Sequence, residues 1–329
     1  MKTFGTWLRK RAWRAGVRAS VPQSLQASRF ISLWIAVFAA TSPLHAKLNV
    51  VATLPDYGAI AEAVGGDQVK VTSLARGTED PHFIDARPSF IRVLNQADVL
   101  LEGGAEMEVG WLPALVNNAR NPKILGDAPG HVLMSQGIAL LGVPSAPVDR
   151  SMGDVHPAGN PHFAHDPANG KIMATHLAEV FTKLDSANGY IYQANLKRFI
   201  GQLDAKLAEW TKIMEPFRGT KVVTYHKSYE YFAARFGLEI VGQIEPKPGI
   251  EPSPSHINAL IPRVKEAGAK LVLIEPNRPR KTPQYVADAI GAKLVILPGM
   301  VGGHEKIKDY PGLFDYDVAQ ITAALKARK

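Results

Sequence analysis

The 329-residue chain contains no cysteine. That excludes disulfides, thiolate metal ligands and a cysteine nucleophile, and it removes lipid attachment through an N-terminal cysteine. The chain has no His-Glu-x-x-His pair, no Gly-x-Ser-x-Gly elbow and no phosphate-binding glycine loop, so those three chemistries lack their signatures. Gly103-Gly104 and Gly302-Gly303 read more simply as turns. Beyond residue 46 no apolar run approaches the ~20 residues of a membrane span.

A basic surface is missing too, although the formal charge is +8. Lys2, Arg9, Lys10, Arg11, Arg14, Arg18 and Arg29 all lie within residues 1–46, which hold no Asp or Glu, so the remainder is close to neutral. That balance argues against a nucleic-acid partner. The basic start precedes an apolar run at residues 30–40 and the stretch Ser42-Pro43-Leu44-His45-Ala46. Basic, apolar and small-residue segments in that order form an export signal, expected to be cleaved after Ala46 to leave the protein in the periplasm. A retained N-terminal anchor is the alternative, for which the apolar run is short.

Residues 47–329 alternate strand-like and helix-like segments. The pattern predicts an α/β fold with two lobes, each a mainly parallel sheet flanked by helices. Residues 47–185 form the first lobe, 186–218 a long connecting helix, and 219–329 the second lobe. Apolar residues at helical spacing (Leu196, Phe199, Leu203, Leu207, Trp210) mark the connecting helix. Residues 127–161, rich in Gly, Pro and Ala, read as irregular. The last helix is expected to begin near Val318. One stiff helix between lobes does not favour large hinge bending.

Three histidines stand out in three short loop motifs: Glu79-Asp80-Pro81-His82, Gly159-Asn160-Pro161-His162 and Val222-Val223-Thr224-Tyr225-His226. In open α/β sheets ligands collect beyond the carboxyl ends of strands, where His226 and the loop bearing His82 are expected. Imidazole is the commonest transition-metal ligand, and three converging imidazoles make most of a zinc site. Each histidine alone reads more simply as a solvated loop residue.

The runs Gly77-Thr78-Glu79-Asp80-Pro81-His82, Arg87-Pro88-Ser89 and Asn95-Gln96-Ala97-Asp98-Val99 resemble the first ligand region of the metal-binding class of ABC-transporter solute-binding proteins. Asn160-Pro161-His162 with Asp166-Pro167 resembles the second region, and the stretch from Tyr225-His226 through Phe236-Gly237 the third. Ile250-Glu251-Pro252-Ser253-Pro254-Ser255-His256 and Ile274-Glu275-Pro276 match further stretches, so the resemblance covers residues 47–329. It implies that His82, His162 and His226 are metal ligands, that the cargo is Zn²⁺ with Mn²⁺ as the alternative, and that a periplasmic protein hands it to an inner-membrane permease. A histidine at the third position leans toward zinc, because manganese favours oxygen donors. The chain is expected to act as a monomer and not as an enzyme. An exported metal-binding adhesin or metal chaperone would use the same site; a zinc hydrolase would also need an open coordination position and a general base.

The fourth ligand departs from the family. Many members carry an aspartate where this chain reads Leu297-Pro298-Gly299-Met300-Val301-Gly302-Gly303. Glu275, at the end of the preceding strand, is the first candidate, as a direct ligand or by orienting an imidazole. Glu79, Asp80 or a water are others, and His156 is either a fourth nitrogen ligand or a solvated loop residue. His165 is expected to point elsewhere, and His131, His176, His256 and His304 match no ligand motif. Because imidazole binds metal only when neutral, affinity is expected to fall below about pH 6.5.

Overall fold

The computed structural model describes residues 46–146, 156–247 and 249–327. The expected export signal therefore lies, up to its last residue, outside the described residues, as does the segment just before His156. The first lobe holds a parallel sheet of β1 (Leu48–Ala52), β2 (Val69–Ser73), β3 (Val99–Glu102) and β4 (His131–Leu133) in the order β2-β1-β3-β4. The second lobe repeats that order with β5 (Lys221–Thr224), β6 (Glu239–Gln243), β7 (Leu271–Ile274) and β8 (Lys293–Ile296), arranged β6-β5-β7-β8. In both sheets the chain switches direction at the first strand, the place where open α/β sheets form their ligand crevice. The parallel, helix-flanked sheets agree with the expected fold class.

Helices α1 (Pro55–Gly65), α2 (Pro88–Asn95) and α3 (Leu112–Ala119) each start with proline in the first turn, where the missing N–H is not needed. Helix α4 (Pro167–Leu184) does the same, and Asp166 caps it by accepting from Ala168 N at 2.8 Å. Helix α5 (Gly189–Met214) runs 26 residues and buries Tyr192, Phe199, Leu203 and Trp210 along one face. Helices α6 (Glu230–Phe236), α7 (Pro254–Glu266), α8 (Lys281–Ile290) and α9 (Tyr310–Lys326) complete the second half. Helix α9 begins well before the expected Val318. Asp309 caps it through Gly312 N at 2.8 Å and Pro311 occupies the first turn, so the start signals lie about two turns upstream of Val318. The expected irregular stretch contains β4, too short a strand to show period-2 alternation.

One apolar core runs through the first lobe, along α4 and α5, and on into Phe232, Phe236, Leu273 and Phe314 of the second half. A smaller core under Val223, Val272, Ile274 and Val286 belongs to the second lobe alone. The lobes also meet through backbone. A Cβ on Gly77 would lie 2.2 Å from Val301 O and 2.3 Å from Gly303 N, so only glycine admits that approach. Asp56 seals the same contact by accepting from Val301 N at 2.8 Å. The segment expected to carry an aspartate is thus occupied as an inter-lobe seam.

The turn after β3 is strained: Gly104, Ala105 and Glu106 all have positive φ, at 75°, 51° and 64°. Buried Glu108 holds it, accepting from Thr53 Oγ1 at 2.6 Å and Gly103 N at 2.8 Å. Burial raises the Glu108 pKa from 4.5 to about 7, against the lowering effect of those two donors. A carboxyl group whose pKa is raised in the folded state contributes stability below its unfolded value and loses it as pH rises through the folded value. Glu108→Gln keeps an acceptor for Thr53 and Gly103 and removes the titration. We expect the variant to be more stable than the wild type at pH 8 by on the order of 2 kcal/mol and no more stable at pH 4. Urea unfolding at the two pH values measures this; an equal change at both would refute it.

Candidate metal centre

Two of the three histidine loops use one local device. Asp80 Oδ1 accepts from His82 N at 3.1 Å, and Asn160 Oδ1 accepts from His162 N at 2.9 Å. An Asp or Asn side chain bonding to the backbone two residues on, with proline between, fixes the turn and so the direction of the histidine. Trp111 Nε1 donates to Pro81 O at 3.0 Å and braces the first turn. The second is tied across the cleft: Asn160 Nδ2 donates to Lys227 O at 2.8 Å and to Glu230 Oε2 at 2.9 Å, and Tyr231 Oη donates to Asn160 O at 2.7 Å. His226 lies two residues beyond β5, where Tyr225 N still bonds to Leu273 O of β7 at 2.9 Å.

The three side chains meet. His82 Nε2 and His226 Nε2 each lie 3.2 Å from His162 Nε2, and one ligand atom from each ring falls within 4.8 Å of the others. Two neutral rings at 3.2 Å can share a hydrogen, but the single Nε2 of His162 cannot donate to both neighbours. A tetrahedral zinc with Zn–N near 2.0–2.1 Å puts its nitrogens about 3.3 Å apart, close to both observed separations. His82 and His226 are buried, while His162 keeps some surface open to the cleft.

The surroundings of His82 and His162 favour neutral rings. Burial drives the His82 pKa well below its ordinary value, helped by His226, His156 and Arg278; the Met107 backbone acts the other way, as a carbonyl accepting from the ring does. His162 is lowered likewise, by burial and then by His226 and His82. His226 Nδ1 bonds to Glu245 Oε2 at 2.6 Å. A carboxylate only accepts, so Nδ1 carries a hydrogen and the bond holds the ring with Nε2 toward His162.

Glu275 lies immediately after β7 and lines the same cleft, but it is not among the three residues that converge. Its carboxylate is 3.7 Å from Arg278 Nε, and neither oxygen has a hydrogen-bond partner. His156 stacks on His82, ring centroids 5.1 Å apart, with its buried Nε2 unpartnered. Burial and His226 lower the His156 pKa to about 4. His165 turns away: Nδ1 lies 3.3 Å from Ser228 O, and Nε2 bonds to buried Asp317 at 2.9 Å. Glu79 is engaged by Arg87 at 2.7 Å.

Sequence reasoning missed Glu245 and Arg278. The sheet order β6-β5-β7 sets Glu245, His226 and Glu275 side by side at three neighbouring strand ends, although they are far apart in the chain. One signal was available. Glu245 follows β6 by the same two residues that separate His226 from β5. Arg278, in the turn after β7, reaches Asp80 at 3.2 Å and Glu245 at 3.5 Å, and its guanidinium lies 5.2 Å from the Tyr225 ring centroid.

Comparison with known proteins gives this arrangement relatives. The zinc uptake protein ZnuA of Brucella abortus is 25% identical over 322 residues, covering 90% of this chain and 96% of its own. The manganese ABC transporter substrate-binding lipoprotein PsaA of Streptococcus mitis is 25% identical over 266 residues, covering 77% and 82%. A crystal structure of ZnuA superposes with a TM-score of 0.71 at 26% identity, covering 84% of this chain and 99% of that one. The family described as zinc-uptake complex component A, periplasmic (ZnuA), matches residues 50–324. The chain therefore belongs to that family, within the metal-binding class of ABC-transporter solute-binding proteins, which are binding proteins and not enzymes.

Proposed function

We propose that this protein captures Zn²⁺ in the periplasm with His82, His162 and His226 and delivers it to the permease of an ABC importer. The observation that carries the reading is the convergence of three imidazoles from loops of both lobes, two of their separations being close to those a tetrahedral zinc would set. The cargo is written as zinc because three nitrogen donors suit it better than manganese, which favours oxygen. Glu275 is the carboxylate we assign to the fourth position, directly or through a water, because its oxygens carry no other hydrogen bond. His156, stacked at the edge of His82, is the alternative nitrogen donor. The protein acts as a monomer, released from its signal after Ala46. Capture is reversible coordination, and no covalent bond is made or broken.

Three measurements test this. First, His82→Ala, His162→Ala and His226→Ala should each weaken zinc binding at least 100-fold in competition with a chelator, an estimate of roughly 3 kcal/mol or more per lost donor. His165→Ala should change it far less, while lowering thermal stability because Asp317 is left buried without its partner. Equal losses of affinity from all four would remove the assignment.

Second, Glu245→Gln should weaken zinc binding about 10–100-fold, the usual effect of losing a ligand's orienting carboxylate. An unchanged affinity would show that His226 needs no orientation. Third, the pH onset should stay where the sequence expectation puts it, with a fall only below about pH 6.5. Lowered pKa values at His82 and His162 keep both rings neutral below 6.5, so proton competition begins on the acid side of that value. Affinity should stay level from pH 8 to about 6.5 and fall only below it. A decline already under way at pH 7 would mean that the rings titrate as exposed imidazoles do.

A further inference from the structure

The charges beside and behind the imidazoles do not balance. Asp80, Glu245 and Glu275 surround Arg278, at 3.2, 3.5 and 3.7 Å. Three carboxylates face one guanidinium, two negative charges in excess, and the side chains of all four are at most 16% exposed. Buried charge of one sign is unfavourable unless something neutralises it. A dication in the cleft would supply the two missing positive charges. Without it, Arg278 is the cation that holds those carboxylates together among the described residues.

The contacts differ in tightness, and the difference matters. Glu245 is locked to His226 at 2.6 Å. By contrast, Arg278 Nε has no hydrogen-bond partner, and neither has either oxygen of Glu275. The Arg278–Glu275 pair is thus a Coulombic attraction without the bidentate bonds that would fix it. The Asp80 contact crosses between lobes, from the loop before α2 to the turn after β7. The Tyr225 ring lies against the guanidinium and limits where it can move.

We propose that Arg278 is the resident counter-cation of the cleft: it stands in for the metal in the empty protein, and by competing with the metal for Asp80, Glu245 and Glu275 it sets an affinity low enough for release. It touches no cargo in this account; it acts through the carboxylates. The inference rests on the proposed capture of zinc by the three histidines. It also predicts an outcome that simple bracing of the loops would not give, because a lost brace weakens binding, whereas a lost competing cation strengthens it.

The experiment compares melting of the metal-free and zinc-saturated full chain, together with the rate of zinc loss to a chelator. Arg278→Gln should lower the metal-free melting temperature more than the zinc-saturated one, so the shift caused by zinc grows. Zinc should leave about tenfold more slowly, the scale expected for one unit charge several Å away in a partly screened site. Arg278→Lys, which keeps the charge, should leave the shift near that of the wild type. Asp80→Asn should act oppositely: Asn at this position keeps the turn, as Asn160 does before His162, and removes one negative charge. Its zinc shift should shrink and zinc should leave faster. A zinc shift that is smaller or unchanged in Arg278→Gln overturns the proposal. If that variant does not fold, an unchanged shift in Asp80→Asn overturns it instead. A wild-type protein that shows no zinc shift at all would overturn the zinc-capture reading, and this inference with it.

Discussion

Three imidazole nitrogens brought to one point crowd one another and lose their water, so the rest of the structure must hold them there. Each ring depends on a different support. The loop of His82 is set by Asp80 and braced by Trp111, and that of His162 by Asn160, whose side chain reaches Lys227 and Glu230 across the cleft. His226 is oriented by Glu245. Neutral rings follow from the same crowding, because burial and neighbouring imidazoles both disfavour a proton on His82 and His162. The conditions that suppress the proton are those that leave the lone pairs free for a metal.

Such a cluster demands a stiff frame. The shared apolar core extends from the first sheet along α4 and α5 to Phe232 and Phe314, so the lobes are joined by packing as well as by one helix. The Gly77–Val301 seam and the Asp56 bond add a second junction close to the cleft. A preorganised site of this kind discriminates by the spacing and type of its donors and has little need of domain closure.

Much of this was legible in the sequence, for physical reasons. Parallel strands alternating with helices impose a periodicity that a single chain displays. The paired Asp-Pro-His and Asn-Pro-His motifs carry their geometry in three consecutive residues. Other features arise only from folding. Glu245 and Arg278 have no local motif; sheet order brings them beside His226, and sheet order is a property of the whole lobe. Glu108 is unremarkable until the turn at residues 104–106 is seen to have positive φ and to need a buried anchor. The apolar run near Val318 concealed a helix start marked by Asp309 and Pro311.

The family's missing aspartate after β8 is where these threads meet. A carboxylate ligand would place a negative charge directly on the cargo. In this chain the corresponding segment is spent on the inter-lobe seam, we propose Glu275 for the fourth position, and further negative charge sits one layer out, on Asp80 and Glu245 around Arg278. Charge held at that distance still attracts a dication, because Coulomb energy falls only inversely with separation in a poorly screened site. It imposes much less on coordination geometry than a bonded oxygen does. On that proposal donor type would be set mainly by the three imidazoles, which favour zinc, and added attraction by Asp80 and Glu245, which favour any divalent cation. Selectivity and strength of binding would then rest largely on different residues.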